Sequence, residues 1–228
     1  MPDTPPRESN SPPPPSFVVR DCALAAIATG RRAHDLREFR DRLLDVPPEC
    51  IYYHFWGTLL LPRFENPEYI NDFAQWAYQS LRDKVLAERL AAVDPAVFVD
   101  MEQLRRELLE VVEERLDEFL ARPQCPPDRP FHFVRSQIVV FDTGHSAGSV
   151  PELLEALRRM TVGSIFYHFI DARRRTEGMR DDFRPWLELF GEGRRALIER
   201  LAGINPYFSP LYMLRQELVR AFEEEGLA

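Results

Sequence analysis

Two histidines sit in near-identical aromatic settings: residues 50–55 read CIYYHF and residues 164–169 read SIFYHF. Imidazole changes charge near neutral pH, so it can serve as a general base, a metal ligand or a pocket donor. A carboxylate is at hand to orient each ring. Asp72 opens the block DFAQW and Asp182 opens DFRPW, and such a pairing fixes tautomer and direction. Glu88/Glu199 and Glu107/Glu217 are further recurring carboxylates. Carboxylate–imidazole sets suit zinc, iron or manganese. Yet no HxxxH, HxH or HxxE spacing supplies the three protein ligands that such a site needs, and no metal or other cofactor is expected. A second possibility is polar ligand binding in a sugar- or nucleotide-sized pocket, lined by Tyr53, His54, Trp56 and Asp72 and by Tyr167, His168 and Asp182. The plainest reading keeps both rings in the core, each satisfied by a backbone carbonyl and its aspartate.

Other catalytic signatures are missing. The chain has no GxSxG, no phosphate-cradling glycine loop and no dinucleotide fingerprint. Cys22 has no repeated thiol partner and reads as a buried, inert cysteine. Three cysteines without a CxxC argue against disulfides and structural zinc. Phe73/Trp76 and Phe183/Trp186, at i, i+3 spacing, read as core stripes.

What would hold these residues is a unit used twice. Sliding 17–56 onto 131–170, an offset of 114, needs no gap and matches ten of forty residues, among them Thr29-Gly30 with Thr143-Gly144 and the His-Phe pairs. Beyond that block NDFAQW (71–76) faces DDFRPW (181–186), AERLAAVDP (87–95) faces IERLAGINP (198–206), and LRREL (104–108) faces LRQEL (214–218). The blocks keep their order, which implies a tandem duplication. The expected domains are a Pro-rich disordered tail (1–16), repeat 1 (17–120), a linker (121–130) and repeat 2 (131–228), packed as one pseudo-twofold body. The expected fold class is mainly α, with α+β at its margin.

Asp35–Glu38 and Ser149–Glu152 have capping-box spacing. Leu36, Phe39, Leu43 and Leu44 then recur at helical intervals, as do Val150, Leu153, Leu154 and Leu157. Residues 81–93 read as a helix (Leu81, Val85, Leu86, Leu90) that stops before Pro95, as its twin stops before Pro206. Asp100 caps a long helix burying Met101, Leu104, Leu108, Val111, Val112, Leu116 and Phe119, its Glu/Arg face outward. A counterpart starts near Pro210. If 51–56 is helical, Ile51, His54 and Phe55 share a face, and Ser164 caps the second copy. The opening block of each repeat is divided: FHFVRSQIVVF favours a strand, FVVRDCALAAI tolerates a helix. The expectation is one short strand per repeat, ended by its Thr-Gly pair and paired with its twin across the pseudo-twofold.

The 228-residue chain carries a net charge of −8, with 45% hydrophobic and 29% charged residues. This gives no footprint for nucleic acid or an anionic membrane. Arg31–Arg32 and Arg173–Arg175 read as solvated faces. No apolar run approaches a membrane span and the opening residues lack a signal-peptide pattern, so cytoplasm is the expected location.

The strings FVVRDCALAAIATGRRAHDLREF, IYYHFWG, PRFENPEYINDFAQW and DKVLAERLAAVDP resemble a bacterial family of uncharacterised proteins known only as a domain of unknown function. The resemblance spans nearly all of residues 17–228. It implies no established catalytic residue. It also implies gene neighbourhoods containing trehalose-type glycosyltransferases and other sugar-metabolic enzymes, and hence a protein partner of that kind. Three functional classes follow: a non-catalytic accessory or regulatory protein, a His/Asp enzyme with or without a metal, and a structural module whose acidic helices dock a partner. The first is expected over the enzyme.

Overall fold

The computed structural model describes residues 14–60, 68–118 and 129–226. Most of the Pro-rich tail, most of the 121–130 linker, and Phe119 lie outside these residues. The molecule is mainly helical with a two-stranded antiparallel sheet.

The opening blocks are strands, β1 (Phe17–Ala33) and β2 (Phe131–Ala147), and they pair with each other. They are not short. Each has 17 residues and runs through its Thr-Gly pair instead of ending there. Gly30 and Gly144 take φ of +75° and +70°, a conformation cheap only without a Cβ, and each marks a register shift in the ladder. Thr29 Oγ1 donates to Phe133 O and Thr143 Oγ1 to Val19 O, both at 2.6 Å, which pins the two bulges. Every strand pairing except Val19↔His145 has its equivalent at the 114-residue offset: Phe17↔Ala147 matches Ala33↔Phe131, and Leu24↔Ile138 maps onto itself. The β-branched residues of β2 thus decide the state of the Ala-rich β1, because backbone pairing demands that both be extended.

After β1 come α1 (Leu36–Asp45), a helical run of α2 (Pro48–Tyr52), a π-helical stretch (Tyr53–Gly57) and α3 (Thr58–Leu60), then α4 (Asp72–Gln79), α5 (Lys84–Ala92) and α6 (Met101–Asp117). After β2 come α7 (Val150–Arg159), α8 (Val162–Ile165), a second π stretch (Phe166–Asp171), α9 (Ala172–Arg175), α10 (Phe183–Glu188), a 3₁₀ turn (Glu192–Arg194), α11 (Arg195–Ala202) and α12 (Leu211–Gly226). Asp35 caps α1 and Ser149 caps α7, each accepting from the N–H of the glutamate three residues on. Those glutamates reach one residue further back than a capping box requires, to His34 N and Gly148 N.

Some expected details change. Leu44 and Val85 are exposed and Leu154 only half-buried, because the apolar stripe on each of these helices is narrower than the sequence spacing allows. Leu81 is buried but precedes α5, whose cap is Asp83. Thr161, not Ser164, caps α8: its side chain accepts from Ser164 N. The polar face of α6 is not all outward. Arg105 is buried and donates to Leu43 O and Val46 O, satisfying carbonyls at the end of α1 that the helix leaves open.

Candidate functional site

Each strand begins against the opposite half of the molecule. The Phe17 ring packs on His168, Phe183 and Trp186, and the Phe131 ring on His54, Phe73 and Trp76. Trp186 Nε1 donates to Pro15 O and Trp76 Nε1 to Arg129 O, tethering the residues just ahead of each strand. The aromatic stripes of α4 and α10 are therefore cradles for the exchanged strand starts.

Both histidines lie in the π-helical stretches and are 3% exposed. His54 Nδ1 is 2.9 Å from Asp72 Oδ2, and His168 Nδ1 is 2.8 Å from Asp182 Oδ2. At the opposite edge, His54 Nε2 accepts from Val134 N–H at 3.0 Å and His168 Nε2 from Arg20 N–H at 2.9 Å. A backbone amide can only donate, so Nε2 must carry the lone pair and Nδ1 the proton. Each ring is thus a neutral imidazole spanning a carboxylate and a strand amide. The aspartate partner is the one expected. The other partner is an N–H rather than a carbonyl, since the amides beside the bulges lack a ladder acceptor on that side and need one.

The sequence-derived site residues divide among three places. Tyr167, His168 and Asp182 border one cleft of about 450 Å³ together with Phe17, Arg20 and Arg175. Asp72 borders the corresponding first-half cleft, about 690 Å³, with Trp76, Tyr78, Gln79, Lys84 and Arg129. His54 lies behind it, and the half-buried Tyr53 meets His54 edge-on, centroids 5.3 Å apart. Trp56 is not brought to that cleft; it lines a separate cavity of about 170 Å³ with Tyr52, Phe98 and Ile170.

Sequence reasoning missed Asp171. It is buried at the inner end of the second π stretch and accepts from Tyr52 OH (3.1 Å), Arg174 and Arg175 (2.9 Å). Arg175 also reaches Asp182 at 3.2 Å and lies over the Tyr167 ring, 4.0 Å from its centroid. Arg173 stacks on Phe169 and donates to Ile204 O, and Arg31 pairs with Asp45 at 2.6 Å. These arginines are therefore structural partners, not merely solvated charge. The spacing Asp171–Arg174–Arg175, i to i+3 and i+4, was the available signal. Burial, then the nearby Asp171 charge, holds the Tyr52 hydroxyl well above its usual pKa. Burial, reinforced by Asp171 and Asp21, pushes the Cys22 thiol up to about 12, and Cys22 Sγ donates to Gly163 O. This cysteine is protonated and held. Among the described residues no group of three or more His, Cys, Asp or Glu could hold a metal ion, and no helix is long and apolar enough to cross a membrane.

A family model described as a family of unknown function (DUF5752) matches residues 14–223. The solved structure of OrfY from Thermoproteus tenax is similar throughout, with a TM-score of 0.80 and 30% identity over 94% of this chain and 97% of that one. That source is an archaeon, so the likeness is not confined to bacterial proteins. No curated protein matches.

Proposed function

The chain belongs to the DUF5752 family of unknown function, and from that footing we propose that it is a non-catalytic accessory protein that binds a hydroxyl-rich ligand. The observation that carries this reading is that each imidazole has both nitrogens committed to protein groups. A general base needs a free lone pair directed at substrate, and a metal ligand needs one directed at the ion. His54 and His168 use theirs to hold a strand. The binding surface is then the first-half cleft in front of Asp72, where the exposed Tyr78 supplies ring surface and Gln75, Gln79, Arg82 and Lys84 supply hydrogen-bonding groups. An aromatic face flanked by amides, a carboxylate and cations suits the alternating C–H and O–H surface of a sugar.

The same reading takes the chain as one duplicated unit, repeat 1 (17–120) joined by 121–130 to repeat 2 (131–228), with the first cleft retained for binding. Its resemblance-based link to carbohydrate metabolism makes a glycosyltransferase or another sugar-metabolic enzyme the partner to test. Thermal unfolding with glucose, trehalose, UDP and ADP is the direct experiment. At a hundred times its Kd a ligand adds about 2.7 kcal/mol, or roughly 5–10 °C in Tm for a chain of this size. Tyr78→Ala with Gln79→Ala, both at exposed positions, should abolish the shift without lowering the unliganded Tm by more than about 1 °C. If saturating sugars leave Tm unmoved, the ligand reading fails.

A further inference from the structure

We propose a second binding site, for an amphipathic organic anion, in a cleft of the second half whose counterpart positions in the first half carry larger side chains and an ion pair. The cleft, about 660 Å³, lies between the bulge of β2 and helix α7, floored by Val19, Ala156 and Met160 and rimmed by His145, Arg159 and Thr161. Two glutamates also border it, and both are engaged. Glu152 accepts from Gly148 N–H at 2.8 Å, and Glu155 pairs with Arg158. Arg159 has no hydrogen-bond or ion-pair partner among the described residues, whereas Glu152 is held to the backbone and Glu155 to Arg158, so Arg159 is the charged group left to meet an occupant's head.

The first half fills the equivalent positions differently. At the 114-residue offset, Arg31 stands for His145, Asp45 for Arg159, Arg42 for Ala156 and Phe133 for Val19. Arg31 and Asp45 form an ion pair at 2.6 Å across that position. Phe133 is 1% exposed and stacks on Phe39, with centroids 5.6 Å apart. The second-half cleft thus has Ala156 and Val19 where the first-half position has Arg42 and Phe133, and a base, Arg159, where it has the acid Asp45. An apolar floor beside the unpartnered Arg159 calls for an occupant with a hydrocarbon or aromatic body and a carboxylate, sulfonate or phosphate head. Arginine grips such heads with two parallel N–H bonds.

The test uses 1-anilinonaphthalene-8-sulfonate with octanoate as competitor, on the full chain. Wild type is expected to bind one equivalent, displaced by octanoate. Arg159→Gln should weaken binding about tenfold, the loss of one charge-assisted contact, while leaving a neutral analogue, N-phenyl-1-naphthylamine, unaffected. His145→Arg combined with Arg159→Asp rebuilds the ion pair of the first half and should abolish binding with Tm unchanged or raised. Ala156→Leu, which fills the floor, should abolish it independently. The proposal is overturned if the rebuilt pair, in protein with native circular dichroism, still binds the probe with wild-type affinity, or if Arg159→Gln weakens the neutral and anionic probes alike. Neither result bears on the sugar cleft, which lies in the other half.

Discussion

Replacing His168 by alanine isolates what the imidazole does. The ring is 3% exposed, so little solvent is available to substitute for it. Its loss leaves the Arg20 amide without the acceptor now 2.9 Å away, costing about 1–3 kcal/mol for a part-buried donor left unmade. The contact with Phe17 (centroids 4.8 Å apart) and those with Tyr167 and Phe183 also go, at about 0.5–1.5 kcal/mol for a well-placed aromatic pair. Asp182 suffers less, because Arg175 remains 3.2 Å from it. Together the loss is about 3–5 kcal/mol, or roughly 6–20 °C in Tm. Glutamine can place its Oε1 near the position of Nε2, so His168→Gln should restore the acceptor and lose only about 1–2 kcal/mol. The assay is urea unfolding together with hydrogen exchange at the Arg20 amide, whose protection should fall in the alanine variant and persist in the glutamine one. The reasoning is refuted if alanine and glutamine are equally costly, or if Arg20 stays protected in His168→Ala.

Four further outcomes follow from the structure. A Cβ on Gly163 would sit 2.5 Å from Cys22 O, a backbone atom, whereas one on Gly57 would meet side-chain atoms of Tyr53 and Leu24; Gly163→Ala should cost at least about 2 kcal/mol more than Gly57→Ala in denaturant unfolding, on the order expected for overpacking. Asp83 is buried, caps α5 and pairs with Arg115 at 2.9 Å, so Asp83→Ala should cost about 3–5 kcal/mol and Asp83→Asn less, read as urea midpoints. Cys22 and Cys50, with thiols pushed up to about 12 and 11 mainly by burial, should resist iodoacetamide at pH 8 until urea is added, as seen by peptide mapping. Because the raised native values keep protons that the unfolded chain releases above its ordinary thiol pKa of about 8.5, stability should hold below that pH and fall as pH rises towards 12, with Cys22→Ala flattening the slope.

The legible parts were those set by local spacing. Asp35, Asp100 and Ser149 all act as caps, and capping depends on a short polar residue three positions ahead of an amide. The aspartate partners of both histidines were readable because each recurs with its ring. Strand length was not. Ending a strand at Thr-Gly is sound for a single chain segment, but here each glycine sits in a bulge tied to the partner strand through threonine, a long-range fact. The N–H acceptor role of each imidazole was hidden for the same reason, since Val134 and Arg20 are 80 and 148 residues from the rings they face. Arg105 escaped notice because a charged residue inside a Glu/Arg-rich stretch looks solvent-facing until the end of α1 arrives beside it. The π-helical stretches have no counterpart in apolar periodicity, which offered no warning of them.

The strand exchange has a consequence for how the molecule comes apart. Phe17 completes a core belonging to residues more than 140 positions later, and Phe131 completes the earlier one. Cutting the peptide between 118 and 129 would leave two fragments clasped through all of β1 and β2, neither with a finished interior of its own. Produced separately, each fragment should be a poor folder; mixed, they should reassemble into a heterodimer whose stability depends on concentration, as an obligate dimer's does. The covalent connection then acts as a concentration device, turning an encounter between two chains into an event within one.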